Sequence, residues 1–122
     1  ISDPGEVLVK LCLESGITVT SLPGACACIT ALTLSGLATR RFCFEGFLPA
    51  DKKERTQVLE SLKKETRTTI LYEAPHHLKA TLKVLYKELG DRKLTICREL
   101  TKKFETIMPT TLETIAILLS YL

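Results

Sequence analysis

Thr68-Thr69-Ile70-Leu71-Tyr72, then Glu73-Ala74-Pro75-His76-His77, then the run from Leu78 to Gly90 make up the stretch whose reading decides the fold. The first five residues are β-branched, aliphatic or aromatic, the side chains that suit a pleated, half-buried surface. Pro75 fits the first turn of a helix, where its missing N–H would have no partner in any case. Leu78, Leu82, Leu85, Tyr86 and Leu89 then recur at helical spacing, and Gly90 is the natural left-handed stop. Strand, loop and helix in that order are the repeating unit of a mixed α/β domain.

The same alternation extends in both directions. Downstream, Lys93 to Cys97 reads as a strand, Phe104 to Met108 as a weaker one, and Leu112, Ile115, Leu118, Leu119 and Leu122 as a last amphipathic helix. Upstream, Asp51 is a good N-cap with Glu54 as its capping-box partner, and Val58, Leu59 and Leu62 form the inner stripe of a helix. Lys52, Lys53, Arg55, Lys63 and Lys64 stay on its outer face. Arg41 to Phe47 reads as a strand ending near Gly46 and Pro49, and Pro23-Gly24 leads into a buried helix that runs to Leu34 with Gly36 just beyond. Ile17 to Leu22 reads as another strand. Before it, Val7, Leu8, Leu11 and Cys12 share one side of a short helix stopped by Gly16.

Composition agrees with a folded domain: 122 residues, 45% hydrophobic and 25% charged, are ordinary for a globular protein and too apolar for disorder. The most apolar run, Ile115 to Leu122, is far too short to span a bilayer. A net charge of +3 neither requires nor excludes a polyanionic partner. The five cysteines, Cys12, Cys26, Cys28, Cys43 and Cys97, sit in or beside apolar segments and read as free thiols of a reducing compartment, so the cytoplasm is expected. The opening Ile1-Ser2-Asp3-Pro4-Gly5 reads as the start of a fragment.

Three junctions, each read as leading from a strand into a helix, carry the chemistry: Leu22 to Ala27, Tyr72 to His77, and Arg98-Glu99-Leu100-Thr101. In open α/β sheets, ligands bind beyond the carboxyl ends of strands, where loops leave backbone groups free. Plain chain-turning is the competing reading of all three. Glu73 has the chemistry of a general base, and His76 that of an acid, a base or a phosphate contact, against simple solvation or capping. Lys52, Lys53 and Arg55 could meet RNA phosphates, or form a solvated face with Asp51, Glu54 and Glu60 between them. Cys26 and Cys28 with His76 and His77 make a poor metal set, because zinc sites favour at least two residues between paired cysteines, and no metal is expected.

Beyond this point a resemblance carries the reading. Ile1-Ser2-Asp3-Pro4-Gly5, Leu22-Pro23-Gly24, Phe44-Glu45-Gly46-Phe47-Leu48-Pro49, Tyr72-Glu73-Ala74-Pro75-His76 and Arg98 to Glu105 occur in an order that resembles the ribosomal RNA small subunit methyltransferase I family. That family lies within the tetrapyrrole (corrin/porphyrin) methylase superfamily. The resemblance implies the C-terminal part of a class III methyltransferase: an α/β fold with a mixed sheet and flanking helices. Residues 1–22 would be the tail of a truncated N-terminal domain and 23–122 the C-terminal methylase domain. It implies methyl transfer from S-adenosylmethionine to a cytidine ribose 2′-hydroxyl of small-subunit rRNA. It also implies the rest of the N-terminal domain as a partner; the apolar face left for that domain is expected to pair with a second copy, as a homodimer. Carried over by motif, the cofactor contacts are Ile1, Cys26, Ala27, Glu73 and Leu100; with an rRNA substrate, the basic residues Lys52, Lys53 and Arg55 and the loop residue His76 are the expected substrate contacts on their charge and chemistry.

Three positions depart from the family pattern. His77 stands where Arg is usual, Cys26 where a small Ser or Ala is usual, and Thr110 where Gly precedes the final helix. The alternatives are a tetrapyrrole methylase proper, and a non-catalytic ligand- or RNA-docking module with this fold.

Overall fold

The structure, a computed structural model, describes residues 1–121. In chain order it contains helices α1 (Gly5–Glu14) and α2 (Ala27–Leu34), strand β1 (Phe42–Phe47), helix α3 (Lys52–Lys64), strand β2 (Thr68–Tyr72), helix α4 (Leu78–Leu89), strands β3 (Lys93–Arg98) and β4 (Thr106–Thr111), and helix α5 (Leu112–Ser120). The α/β class holds, with parallel and antiparallel pairing both present. β1 and β2 form a parallel pair joined through α3, and β3 and β4 form an antiparallel pair, each a separate two-stranded sheet. The β1–β2 register shifts between Phe44 and Gly46, where Gly46 takes a left-handed φ of 66°. A bulge at that point needs glycine, since a side chain there is strained.

The main core lies under the helices. Leu59 and Leu62 of α3, Leu82 and Leu85 of α4, and Leu112 and Ile115 of α5 are buried together. These are the inner-stripe positions that the helical spacing predicts. A smaller core joins Cys28 and Leu32 of α2 to Ile70 of β2, with Cys26 and Tyr72 packed against it.

Local signals explain the helix ends. Asp51 Oδ2 accepts the Glu54 N–H at 2.9 Å, so the expected cap of α3 is in place. After α1, Ile17 N–H donates to the Cys12 carbonyl and Gly16 N–H to that of Leu13, with Gly16 at φ 70°, a Schellman motif. The Arg92 guanidinium donates to the carbonyls of Leu62 and Lys63, satisfying groups that the end of α3 leaves open. At the other end of the chain, β4 runs straight into α5. Thr111 ends the strand and caps the helix by accepting the Thr114 N–H, while Asp91 accepts the Glu113 N–H. Thr110 therefore sits within a strand, where no turn requires a glycine.

Three expectations need correction. Ile17 to Leu22 is not a strand: residues 17–26 carry no regular structure, and Ile17, Val19 and Leu22 are exposed. A strand exists only through its ladder, and among the described residues no strand pairs with this run. The weaker strand begins at Thr106 rather than Phe104, because Glu105 N–H turns back to the Lys102 carbonyl and holds the preceding residues in a loop. Pro75 lies in the turn ahead of α4, which starts at Leu78. The stripe on α1 forms as spaced, yet none of its residues is buried. Leu122, the last member of the α5 stripe, lies outside the described residues.

Candidate functional site

Three loops converge on one cavity of about 940 Å³. Its lining includes Ala27 at the start of α2, Tyr72 and Glu73 at the carboxyl end of β2, and Arg98, Glu99 and Leu100 at the carboxyl end of β3. β2 and β3 form its walls, so the cavity follows the seam between the two sheets. Its volume lies within the range of about 300–1,000 Å³ usual for small-molecule sites.

At the first loop, Pro23-Gly24 leads to Cys26, which has extended backbone and stands at the N-cap of α2. Ala27 follows as the first helical residue, exposed and small. Its methyl leaves the helix start open, where first-turn N–H groups have no helical partner. Cys26 itself does not line the cavity; its side chain turns toward buried Cys28.

The second loop is held by Glu73. Its Oε1 accepts the Ala74 N–H at 2.7 Å and its Oε2 accepts the Thr81 hydroxyl at 2.6 Å. A carboxylate engaged on both oxygens shapes the loop and is a poor candidate for a free general base. Beside it, Phe44 and Phe47 meet the Tyr72 ring edge-to-face at 5.2 and 5.7 Å between centroids, and Phe47 forms part of the cavity wall.

The third loop differs from its sequence reading. Arg98-Glu99-Leu100-Thr101 connects two antiparallel strands instead of leading from a strand into a helix. Glu99 and Thr101 have φ of 52° and 64°, which non-glycine residues seldom adopt. Two contacts hold this backbone: Thr101 N–H donates to Glu105 Oε2 at 2.6 Å, and Lys102 pairs with Glu99 at 3.1 Å. Such strain concentrates at binding loops.

Ala27, Glu73 and Leu100 thus line one cavity, although the first and last are 73 positions apart in sequence. Ile1 is exposed and lies outside the cavity. Lys52 and Lys53 are exposed and Arg55 half-exposed at the start of α3, away from the cavity, and none of them makes an ion pair among the described residues. His76 is exposed and stands against His77, with ring centroids 4.2 Å apart. Among the described residues no three His, Cys, Asp or Glu side chains are grouped to hold a metal ion. No helix there is long and apolar enough to cross a membrane.

Sequence reading missed Thr81 and Phe47. Thr81 is the one polar residue among Leu78, Leu82 and Leu85 on the inner face of α4, and a hydroxyl on an apolar stripe asks for a partner. That was the available signal. Phe47 gave none, since a strand aromatic is usually core.

Known proteins are similar to this chain over most of its length. Residues 1–116 match the family model of the Tetrapyrrole (Corrin/Porphyrin) Methylases. A protein of Haemophilus influenzae named ribosomal RNA small subunit methyltransferase I is 52% identical over 114 residues, 93% of this chain and 40% of that protein. The protein of the same name from Synechocystis is 56% identical over 115 residues, again 93% of this chain and 41% of the relative. One from Bacillus subtilis is 51% identical over 105 residues, 86% of this chain and 36% of the relative. The chain therefore spans about two fifths of the length of the curated relatives it matches. With the family model matched across residues 1–116 and the strand-end loops gathered on one cavity, the chain belongs to the tetrapyrrole methylase family.

Proposed function

We propose that this chain is part of an S-adenosylmethionine-dependent methyltransferase that modifies a ribose 2′-hydroxyl of a cytidine in small-subunit rRNA. The observation that carries the reading is the convergence of Ala27, Glu73 and Leu100 on one cavity, in a chain whose relatives bear the name of an rRNA methyltransferase. The residues suit the cofactor. The cavity is large enough, Ala27 leaves its mouth open, and the loop backbone is held in place before any ligand arrives.

When bound, the cofactor supplies an electrophilic sulfonium methyl group, chemistry that needs no metal. The protein's share is positioning, which can contribute about 7–11 kcal/mol to a transfer between two bound partners. Ala27, Glu73 and Leu100 would hold the cofactor, Glu73 and Leu100 mainly through backbone groups, since the Glu73 carboxylate is already engaged. Ile1 and Cys26 complete the proposed set on the resemblance alone. Lys52, Lys53 and Arg55, which make no ion pair among the described residues at the head of α3, and exposed His76 are the proposed phosphate contacts of the rRNA. The unburied stripe of α1, with Val7 and Leu8 each about two-thirds exposed, supports a covering surface from an N-terminal domain or a second copy. The reaction would take place in the cytoplasm, on the ribosomal subunit or its rRNA.

Mapping ribose methylation on small-subunit rRNA in cells lacking the full-length protein tests this reading. Loss of one 2′-O-methyl mark, restored by the wild-type gene, is expected. An unchanged methylation map would remove it and favour the docking module.

A further inference from the structure

Outside the cavity, the structure brings two thiols together at the start of α2. Cys26 Sγ and Cys28 Sγ are 3.3 Å apart, a thiol–thiol hydrogen bond in a part-buried setting. Cys28 is 2% exposed and packs on Leu32 and Ile70, whereas Cys26 is half-buried at the helix N-cap. The other three cysteines lie on α1, β1 and β3, and among the described residues none of them meets a second thiol.

We propose that Cys26 and Cys28 form a reversible dithiol–disulfide site that exchanges with low-molecular-weight disulfides of the glutathione class. Geometry permits closure. Ala27 between them is helical, and helix geometry places residues i and i+2 about 5.4 Å apart at Cα, inside the range of about 4.4–6.8 Å that a disulfide spans. The two sulfurs are already in contact at 3.3 Å, and closure to a disulfide brings them to about 2.05 Å.

Their environments divide the roles. The Ile29 N–H at the start of α2, with the Cys28 thiol, holds Cys26 below its ordinary thiol value, while burial pushes Cys28 up. Cys26 is thus the accessible attacking thiol and Cys28 the sheltered resolving thiol. In the first step Cys26 gives its proton to solvent and its thiolate attacks one sulfur of the disulfide RSSR. A Cys26–SR bond forms, the S–S bond breaks and RS⁻ leaves. In the second step Cys28 loses its proton and attacks the Cys26 sulfur, expelling the second RS⁻. The two protein thiols are oxidised by two electrons, and RSSR is reduced to two RSH once the released protons are taken up. A ring spanning one intervening residue gains little from loop closure, which fits a labile, reversible bond rather than a structural one.

The test treats the full chain with oxidised glutathione, alkylates the remaining thiols under denaturing conditions, and maps masses after combined cleavage beyond Glu14 and Arg40, so that Cys12 and Cys43 fall on other peptides. The expected result is a wild-type Cys26/Cys28 peptide that has lost two hydrogens, resists alkylation and is restored by dithiothreitol. Cys28→Ser should instead retain one glutathione on Cys26, and Cys26→Ser should leave Cys28 unmodified. A wild-type pair that stays alkylatable, or a stable glutathione adduct on wild-type Cys26, overturns the proposal. If either variant fails to fold, the wild-type masses alone decide it.

Discussion

The Thr81 hydroxyl donates a 2.6 Å hydrogen bond to Glu73 Oε2, so that the first turn of α4 fixes the carboxylate at the end of β2. Glu73 thereby holds the loop that turns the chain from β2 into α4. Thr81→Val keeps the side-chain shape and removes the donor. It should cost about 1–2 kcal/mol of stability and weaken S-adenosylmethionine binding by the full-length protein, while Thr81→Ser retains both. Thermal melts and calorimetry measure the two effects separately; binding by Thr81→Val equal to wild type would remove Glu73 from the proposed cofactor set.

Ala27 tests the cavity mouth from the other side. Replacing it with Leu in the full-length protein places extra bulk where the cofactor is proposed to pack, at a cost of about 1–3 kcal/mol, on the order of 10- to 100-fold in affinity. Ala27 is exposed, so the fold should keep its thermal stability. Ala80→Leu, on the exposed side of α4, should bind normally. Calorimetric titration distinguishes the outcomes: an unfolded Ala27→Leu makes this a packing residue, and unchanged binding moves the cofactor elsewhere.

The head of α3 carries the proposed RNA contact. Reversing Lys52, Lys53 and Arg55 to Glu in the full-length protein should weaken rRNA binding, with cofactor affinity unchanged. For every phosphate that is no longer neutralised, the slope of log affinity against log salt should flatten by roughly 0.7–0.9. A salt titration showing wild-type slope and affinity would return these residues to a solvated face.

Glu65 gives a pH signature. Arg67 Nε and Nη2 donate to its two oxygens at 2.8 and 2.9 Å, and the Arg67 N–H also donates to Oε1 at 3.0 Å. These contacts hold the carboxyl well below the usual carboxylate range. A depressed folded-state value means that the stabilisation is complete above the unfolded value of about 4.3 and is lost as pH falls below it. The difference in melting temperature between wild type and Glu65→Gln should be flat above about pH 5 and shrink toward lower pH. A difference constant down to strong acid would contradict it.

How far the chain could be read from its residues depended on whether a signal was local. The Asp51 cap, the Gly16 stop and the inner stripes of α3, α4 and α5 are set by neighbours within a turn or two, and each stands where the spacing places it. Ile17 to Leu22 failed because strand formation depends on a partner that no local pattern can supply. The site divides in the same way. Loops at strand ends could be named from proline, glycine and the motif strings, and three of the five proposed cofactor positions meet at one cavity. Left-handed Glu99 and Thr101 could not be anticipated, because nothing in a Glu-Leu-Thr string announces positive φ. The approach of Cys26 to Cys28 was equally hidden, since their separation in sequence argued against a metal without suggesting that the thiols meet.

The facing edges of β2 and β3 share no ladder, and the cavity runs between them. Backbone hydrogen bonding is therefore divided into two separate systems, joined by the helix core and by the bond from the Thr95 hydroxyl to the Ser35 carbonyl. Units connected in this way open as distinct cooperative blocks. Amides of β1 and β2 should exchange with solvent deuterium at one opening free energy and those of β3 and β4 at another. A ligand that touches both walls would merge the two into a single block, so that occupancy of the seam is recorded as cooperativity in strands the ligand need not displace.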